Sequence, residues 1–285
     1  MILVTGSTGQ IGCAVVGQLV QRGERPGALV RSTDNAKRVA QLGAQAVPGD
    51  LERPSTLAEA LRGVDRMLLL TPLHPRQDQL QAGVITAARR AGVEHVVKIS
   101  AFGAHPHAEV TIHRQHGRAE RALVDSGMGF THLRPNAFMQ NLWRVLPSVA
   151  DDEAITLPVG DARVSMIHVR DVAAAAVETL SASGHAGQAY DLTGPASVSY
   201  DEVAAQLSDA LGRPIRYVDT PAAEARVRMR EAGMPAWAVD LRLELYASYR
   251  AGAAERLTTA VADITGRQPR RFAQFAQELA GLPAR

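Results

Sequence analysis

Residues 4–12 read Val4-Thr5-Gly6-Ser7-Thr8-Gly9-Gln10-Ile11-Gly12. They follow the apolar run Ile2-Leu3-Val4, which reads as a strand. They open a segment, Gln10–Gln21, in which Ile11, Val15 and Leu19 recur at helical spacing. Three glycines at a strand–turn–helix junction have separate duties. Gly6 permits the tight turn, Gly9 lets the backbone approach a pyrophosphate, and Gly12 lets the helix lie close on the sheet. A phosphate placed there meets free N–H groups and the positive end of the helix dipole. The spacing is G-x-x-G-x-x-G and not the G-x-G-x-x-G of many dehydrogenases. The strand before and the helix after decide the reading, which is a dinucleotide-binding turn contributed by Gly6, Thr8, Gly9, Gln10, Ile11 and Gly12.

Moving outward, short apolar runs alternate with amphipathic segments. Strands are expected at residues 28–30, 46–47, 67–70, 96–99 and 130–133. Helices are expected at 56–61, with Thr56 and Glu59 spaced as a capping box, at 77–91 with Gly92 as C-cap, and at 112–126. This alternation predicts an α/β, Rossmann-type doubly wound parallel sheet with helices on both faces. Beyond residue 135 the rhythm changes. A strand is expected at 164–167, a helix capped by Asp171, a strand at 189–192, a helix behind a Ser199/Glu202 capping box, mainly helix over 221–253, and a last helix with Phe272, Phe275, Ala276 and Leu279 on one stripe. The expected division is a dinucleotide-binding domain over 1–135 and a smaller mixed substrate-binding cap over 136–285, with segments returning to the sheet.

The end of the second strand should choose the nucleotide. An acid there binds the ribose hydroxyls of NAD. This chain has Arg31, whose guanidinium suits a 2′-phosphate, with Lys37 about one helical turn further on. Asp34 is the residue that argues for NAD(H). The expected cofactor is NADP(H) in preference to NAD(H), with Asp50 and Leu51 near the adenine.

Composition narrows the setting. The 285 residues are 46% apolar and 21% charged, which excludes bulk disorder and a coiled-coil rod. Basic and acidic residues number 31 and 29, giving a net charge of +2 and no electrostatic case for nucleic acid or a membrane surface. Cys13 is the sole cysteine, so an intramolecular disulfide or thiolate cluster is excluded. The first residues lack a basic leader, and no apolar run approaches bilayer length, so a soluble cytoplasmic protein is expected. The apolar stripes of the C-terminal helices leave room for a homodimer.

The glycine turn, Ala28-Leu29-Val30-Arg31, Gly49-Asp50-Leu51, Leu133-Arg134-Pro135-Asn136-Ala137-Phe138-Met139 and Ile167-His168-Val169-Arg170-Asp171-Val172-Ala173 together carry a resemblance. They span about two thirds of the chain, and on them it resembles the NmrA-like group of atypical short-chain dehydrogenases. That group includes NAD(P)H-dependent quinone reductases and nucleotide-sensing regulators. The resemblance implies that the loops after the fourth and fifth strands line the nicotinamide pocket. Thr71, Pro72, Leu73 and Ser100 would then touch cofactor, and Phe102 substrate. It also implies that Asn136, Phe138 and Met139 border substrate and nicotinamide.

Ordinary short-chain dehydrogenases protonate a carbonyl with a Tyr-x-x-x-Lys pair. The tyrosines here are Tyr190, Tyr200, Tyr217, Tyr246 and Tyr249, and neither of the two lysines, Lys37 and Lys98, follows one by four residues. The corresponding helix carries His113, His116 and Glu120. His116 is the candidate catalytic residue, able to orient substrate or relay a proton near neutrality. The alternative is a plain His116–Glu120 pair covering the pocket. His113 is a substrate-side candidate. His105 and His107 complete a local histidine cluster for which no metal is expected. Helical spacing favours core packing for Phe138, Met139 and Trp143. His168 and Asp171 read as structural.

The expected activity is transfer of hydride from NADPH to a flat conjugated acceptor, a quinone or aromatic polyketide-like molecule. Such an acceptor forms a stabilised anion and needs no strong acid. Two alternatives stay open: a non-enzymatic NAD(P)-sensing regulator that binds a protein partner, and a tailoring oxidoreductase in an aromatic biosynthetic pathway.

Overall fold

The computed structural model describes residues 1–144 and 153–281. Its centre is a seven-stranded sheet built from β1 (Ile2–Val4), β2 (Gly27–Val30), β3 (Gln45–Pro48), β4 (Arg66–Leu69), β5 (His95–Ile99), β6 (Gly129–Pro135) and β9 (Gln188–Leu192). The order is β3-β2-β1-β4-β5-β6-β9, and every neighbouring pair is parallel. The order reverses at β1, where open α/β sheets place a ligand crevice. β6 ends at Pro135. The next strand of the sheet, β9, is supplied from beyond it.

Strand alternation explains the two cores. Val4, Leu68 and Val97 face α1 (Gln10–Gln21) and α6 (Val169–Ser181). Leu3, Met67, Leu69 and Val96 face α3 (Leu57–Ala60), α4 (Gln77–Ala91) and α5 (Thr111–Asp125). The same period turns Lys98 towards α4 and α5. In the sheet it stands opposite His132 of β6 and Leu69 of β4.

The second lobe has its own core, with Met139, Leu142, Ile155, Phe272 and Phe275. Around it lie the parallel pair β7 (Ala154–Leu157) and β11 (Arg216–Asp219), the antiparallel pair β8 (Arg163–Val164) and β10 (Val198–Ser199), and α7 (Tyr200–Leu211). The helices α8 (Ala222–Glu231), α9 (Ala236–Arg250), α10 (Ala260–Thr265) and α11 (Phe272–Ala280) complete the described chain. Among the described residues no helix is long and apolar enough to cross a membrane.

Several local expectations need correction. A helix, α2 (Thr33–Gln41), stands where none was expected, capped by Ser32. The Ser199/Glu202 capping box forms, but Thr56 caps nothing; its hydroxyl is bound into the Asp50–Arg53 loop instead. His168, not Asp171, caps α6, its Nδ1 accepting from the Arg170 N–H at 3.0 Å. Asp171 is free to accept from the Arg270 backbone at 2.8 Å and tie α6 to the C-terminal segment. The strand expected at 164–167 shortens to β8, and Ile167 forms a lone bridge with Phe138.

Candidate active site

The glycine turn is bolted down by two buried hydroxyls. Thr5 Oγ1 donates to the Leu70 carbonyl at 2.8 Å and accepts from the Leu70 N–H at 2.8 Å. Ser7 Oγ donates to the Leu29 carbonyl at 2.8 Å. The turn is thereby held between β2 and β4. Gly6 adopts φ +60°, and a Cβ there would lie 2.9 Å from the Leu70 carbonyl oxygen. A Cβ on Gly12 would fall 2.2 Å from the Gly6 oxygen, so only glycine lets α1 start this close to the turn. Gly9 is the N-cap of α1 without any side-chain cap, and the first turn carries no acid. The first N–H groups of the helix are therefore left for an anion.

This turn forms one wall of a cleft of about 670 Å³, within the range of about 300–1,000 Å³ usual for ligand sites. Gly6, Thr8, Gly9, Gln10 and Ile11 line it, as do Arg31, Asp50, Leu51, Thr71 and Pro72. The uncapped helix end, the glycine cradle and a cation at the end of β2 fit a dinucleotide that carries an extra phosphate. Lys37 does not reach the cleft. It is 73% exposed and stands 3.9 Å from Asp34; Asn35 lines the wall. Asp50 lines the cleft, but its carboxylate accepts from the Glu52 N–H and pairs with Arg53, both at 3.1 Å, as a loop cap.

A second cavity of about 270 Å³ adjoins the first, and Phe138 and Asn141 line both. Its walls include Phe102, Leu241, Leu245 and Ala254, with Arg242 at one side. Leu73 and Ser100 belong to this cavity and not to the cleft. His113 and His116 line it too, and burial lowers the pKa of each. Arg256, held by Asp191, stacks over the Phe102 ring at 4.8 Å and fixes that wall.

Three substrate-side expectations change. Met139 is 1% exposed within the second lobe's core and lines neither cavity. Asn136 lines the cavity, but its amide is committed. Nδ2 donates to Ser165 Oγ at 2.7 Å and to the Ala254 carbonyl at 2.8 Å, and Oδ1 accepts from the Ala137 N–H. Trp143 is 40% exposed and lines the cofactor-sized cleft instead of packing in a core.

Nor do His116 and Glu120 form a pair with each other. Glu120 accepts from Arg134 Nε at 2.9 Å, from Arg134 Nη2 at 2.5 Å and from Ser100 Oγ at 2.5 Å. Burial pushes its pKa up, but Arg134, His132 and Ser100 more than compensate, and the net shift is downward. His116 lies 2.9 Å through Nδ1 from Lys98 Nζ and 3.2 Å through Nε2 from Gln77 Nε2. Gln77 and Gln81 both donate to Thr71 Oγ1, at 3.2 and 2.7 Å. A buried polar chain thus runs from Lys98 beneath the second cavity to Thr71 in the cleft. Gln77 and Lys98 are functional candidates that the motif reading did not contain.

Residues 1–256 match the NmrA-like family. The chain is 43% identical over 282 residues to the NAD(P)H azoreductase of Xenophilus azovorans, covering 97% of each. It is 36% identical over 281 residues to the (4-alkanoyl-5-oxo-2,5-dihydrofuran-3-yl)methyl phosphate reductase of Streptomyces griseus, covering 98% of this chain and 97% of that one. The Escherichia coli NADPH-dependent quinone oxidoreductase, solved in complex with NADPH, superposes with a TM-score of 0.89 at 26% identity, covering 98% of this chain and 99% of that one. Matched over most of its length by the family and nearly end to end by these relatives, the chain belongs to the NmrA-like family.

Proposed function

We propose that this protein is an NADPH-dependent reductase acting on flat conjugated acceptors such as quinones and azo compounds. The observation that carries the reading is the shared wall at Phe138 and Asn141, which sets a dinucleotide-sized cleft against a smaller, mostly apolar cavity. When bound, the nicotinamide supplies a hydride to the acceptor. The names of the azoreductase and quinone oxidoreductase relatives support this class of acceptor, and the NADPH complex supports the cofactor.

The chain's own residues divide the work. The N-terminus of α1 would hold the pyrophosphate, and Arg31 the 2′-phosphate. Thr71, Pro72 and Phe138 would hold the nicotinamide end. Phe102, Phe138, Leu241 and Leu245 would clamp a planar acceptor and exclude water from it. Arg242 makes no hydrogen bond or ion pair among the described residues; it is available to an anionic substituent on the acceptor. His116, which lines the second cavity, would supply a proton once hydride has arrived.

With cofactor in one cavity and acceptor in the other, direct hydride transfer would need both bound together. Initial rates with both varied should give intersecting reciprocal plots. Parallel plots, or absence of NADPH oxidation with any quinone or azo acceptor, would overturn the proposal.

A further inference from the structure

Lys98 is fully buried in the middle of the sheet, 0% exposed, and makes no ion pair among the described residues. Ammonium groups are seldom kept this way, because the charge has lost its water without gaining a counter-ion. The carboxylate that acts on Lys98 through space, Glu120, is spent on Arg134 and Ser100. The hydrogen-bonding partner of Lys98 is His116 Nδ1, and His116 forms part of the wall of the second cavity.

Resting on the reductase reading, we propose that Lys98 is the proton reservoir of the site, acting through His116 and not on the acceptor itself. In an azo acceptor, hydride adds to one nitrogen and the N=N π pair moves to the other. That nitrogen takes the proton from His116 Nε2 while Nδ1 takes one from the Lys98 ammonium. The acceptor has then gained one hydride and one proton as a hydrazo compound, the nicotinamide is oxidised, and His116 has exchanged tautomers. Lys98 is left as a neutral amine, to be recharged from solvent.

The surroundings suit both ends of that exchange. With Lys98 charged, His116 carries its hydrogen on Nε2, and a Gln77 amide turned end for end would accept it on Oε1 while giving up its bond to Thr71 Oγ1. With Lys98 neutral, Nδ1–H donates to Nζ and the Gln77 NH₂ group donates to the bare Nε2 across the observed 3.2 Å. The Lys98–His116 hydrogen bond is kept in both states. The charged and titratable groups acting on Lys98 are Glu120 and His116 from α5, and His132 and Arg134 from β6, with His113 behind His116. Burial brings the Lys98 pKa down to about 7, Glu120 opposing and Arg134 adding to the shift. His132, desolvated and held at about 4, stays neutral, and burial keeps His113 and His116 neutral at that pH.

The chain's two lysines make the test direct. Full-length protein labelled at lysine Cε should give two NMR signals, with Lys37→Arg and Lys98→Met assigning them. The Lys98 signal should titrate near pH 7. In the wild type, kcat with an azo acceptor should fall as pH rises through that midpoint. In Lys98→Met, kcat should drop about 100-fold and lose this limb, while both KM values stay within about twofold. A Lys98 signal titrating near an ordinary lysine value of about 10.4 would overturn the proposal. So would a Lys98→Met enzyme that keeps the wild-type pH profile, or one that loses KM and kcat together. If the wild type turns over no acceptor, the reductase reading fails and takes this one with it, an outcome distinct from loss of the reservoir alone.

Discussion

Arg134 grips Glu120 with two prongs, Nε to Oε1 at 2.9 Å and Nη2 to Oε2 at 2.5 Å, beside the wall of the second cavity. The pair joins β6 to α5, and Ser100 Oγ adds a third donor. The fork holds the helix that carries His116 in place over the sheet.

Arg134→Met leaves a buried carboxylate uncompensated and should destabilise the fold by about 3–5 kcal/mol at neutral pH. Because Glu120 titrates below its unfolded value, its contribution is complete above that value and is lost as pH falls through the folded one. Urea unfolding at neutral and acidic pH should show the variant's deficit shrinking in acid.

Lys98→Met should gain stability while losing activity. A lysine whose pKa is lowered on folding opposes folding most where it must stay charged, at and below about pH 7. Wild-type stability from this group rises as pH climbs from there towards the unfolded value. The variant's advantage should be about 1–4 kcal/mol at about pH 6 and smaller at about pH 9, read by urea unfolding at both.

Arg31→Ala should raise KM for NADPH by about 10–100-fold, the worth of one or two charge-assisted phosphate bonds, and leave KM for NADH nearly unchanged. Steady-state kinetics with each nucleotide would read the difference. Equal losses for both would place the 2′-phosphate elsewhere.

Arg242→Met keeps the bulk of the cavity wall and removes a cation that makes no hydrogen bond or ion pair among the described residues. KM for a sulfonated or carboxylated azo dye should rise about tenfold, with a neutral quinone little affected. A matched pair of charged and neutral acceptors measures this.

What was legible in the sequence was what local periodicity controls. The glycine turn announces itself by its place between a strand and a helix, and the sheet by regular alternation. Caps were less legible, since Thr56 and Asp171 have the right chemistry and found other partners. Trp143 was misplaced because residues 139–144 form a 3₁₀ turn. Its period of three buries Met139 and Leu142 and turns Trp143 out into the cleft. Asn136 is committed to residues 29 and 118 positions away, a distance no local pattern spans. Lys98 was hidden inside Val96-Val97-Lys98-Ile99, which reads as an ordinary strand. Its meaning depends on the pleat, which turns it towards His116 on a helix that follows in the chain.

Cofactor and acceptor are proposed to meet at Phe138. The most direct measurement is NADPH oxidation by the purified protein with a water-soluble quinone and with an azo dye, beside NADH and the Arg31→Ala variant. Both acceptors should be turned over, with NADPH favoured about tenfold or more and the preference lost in the variant. Binding of NADPH without turnover of either acceptor, or failure to bind either nucleotide, would contradict it.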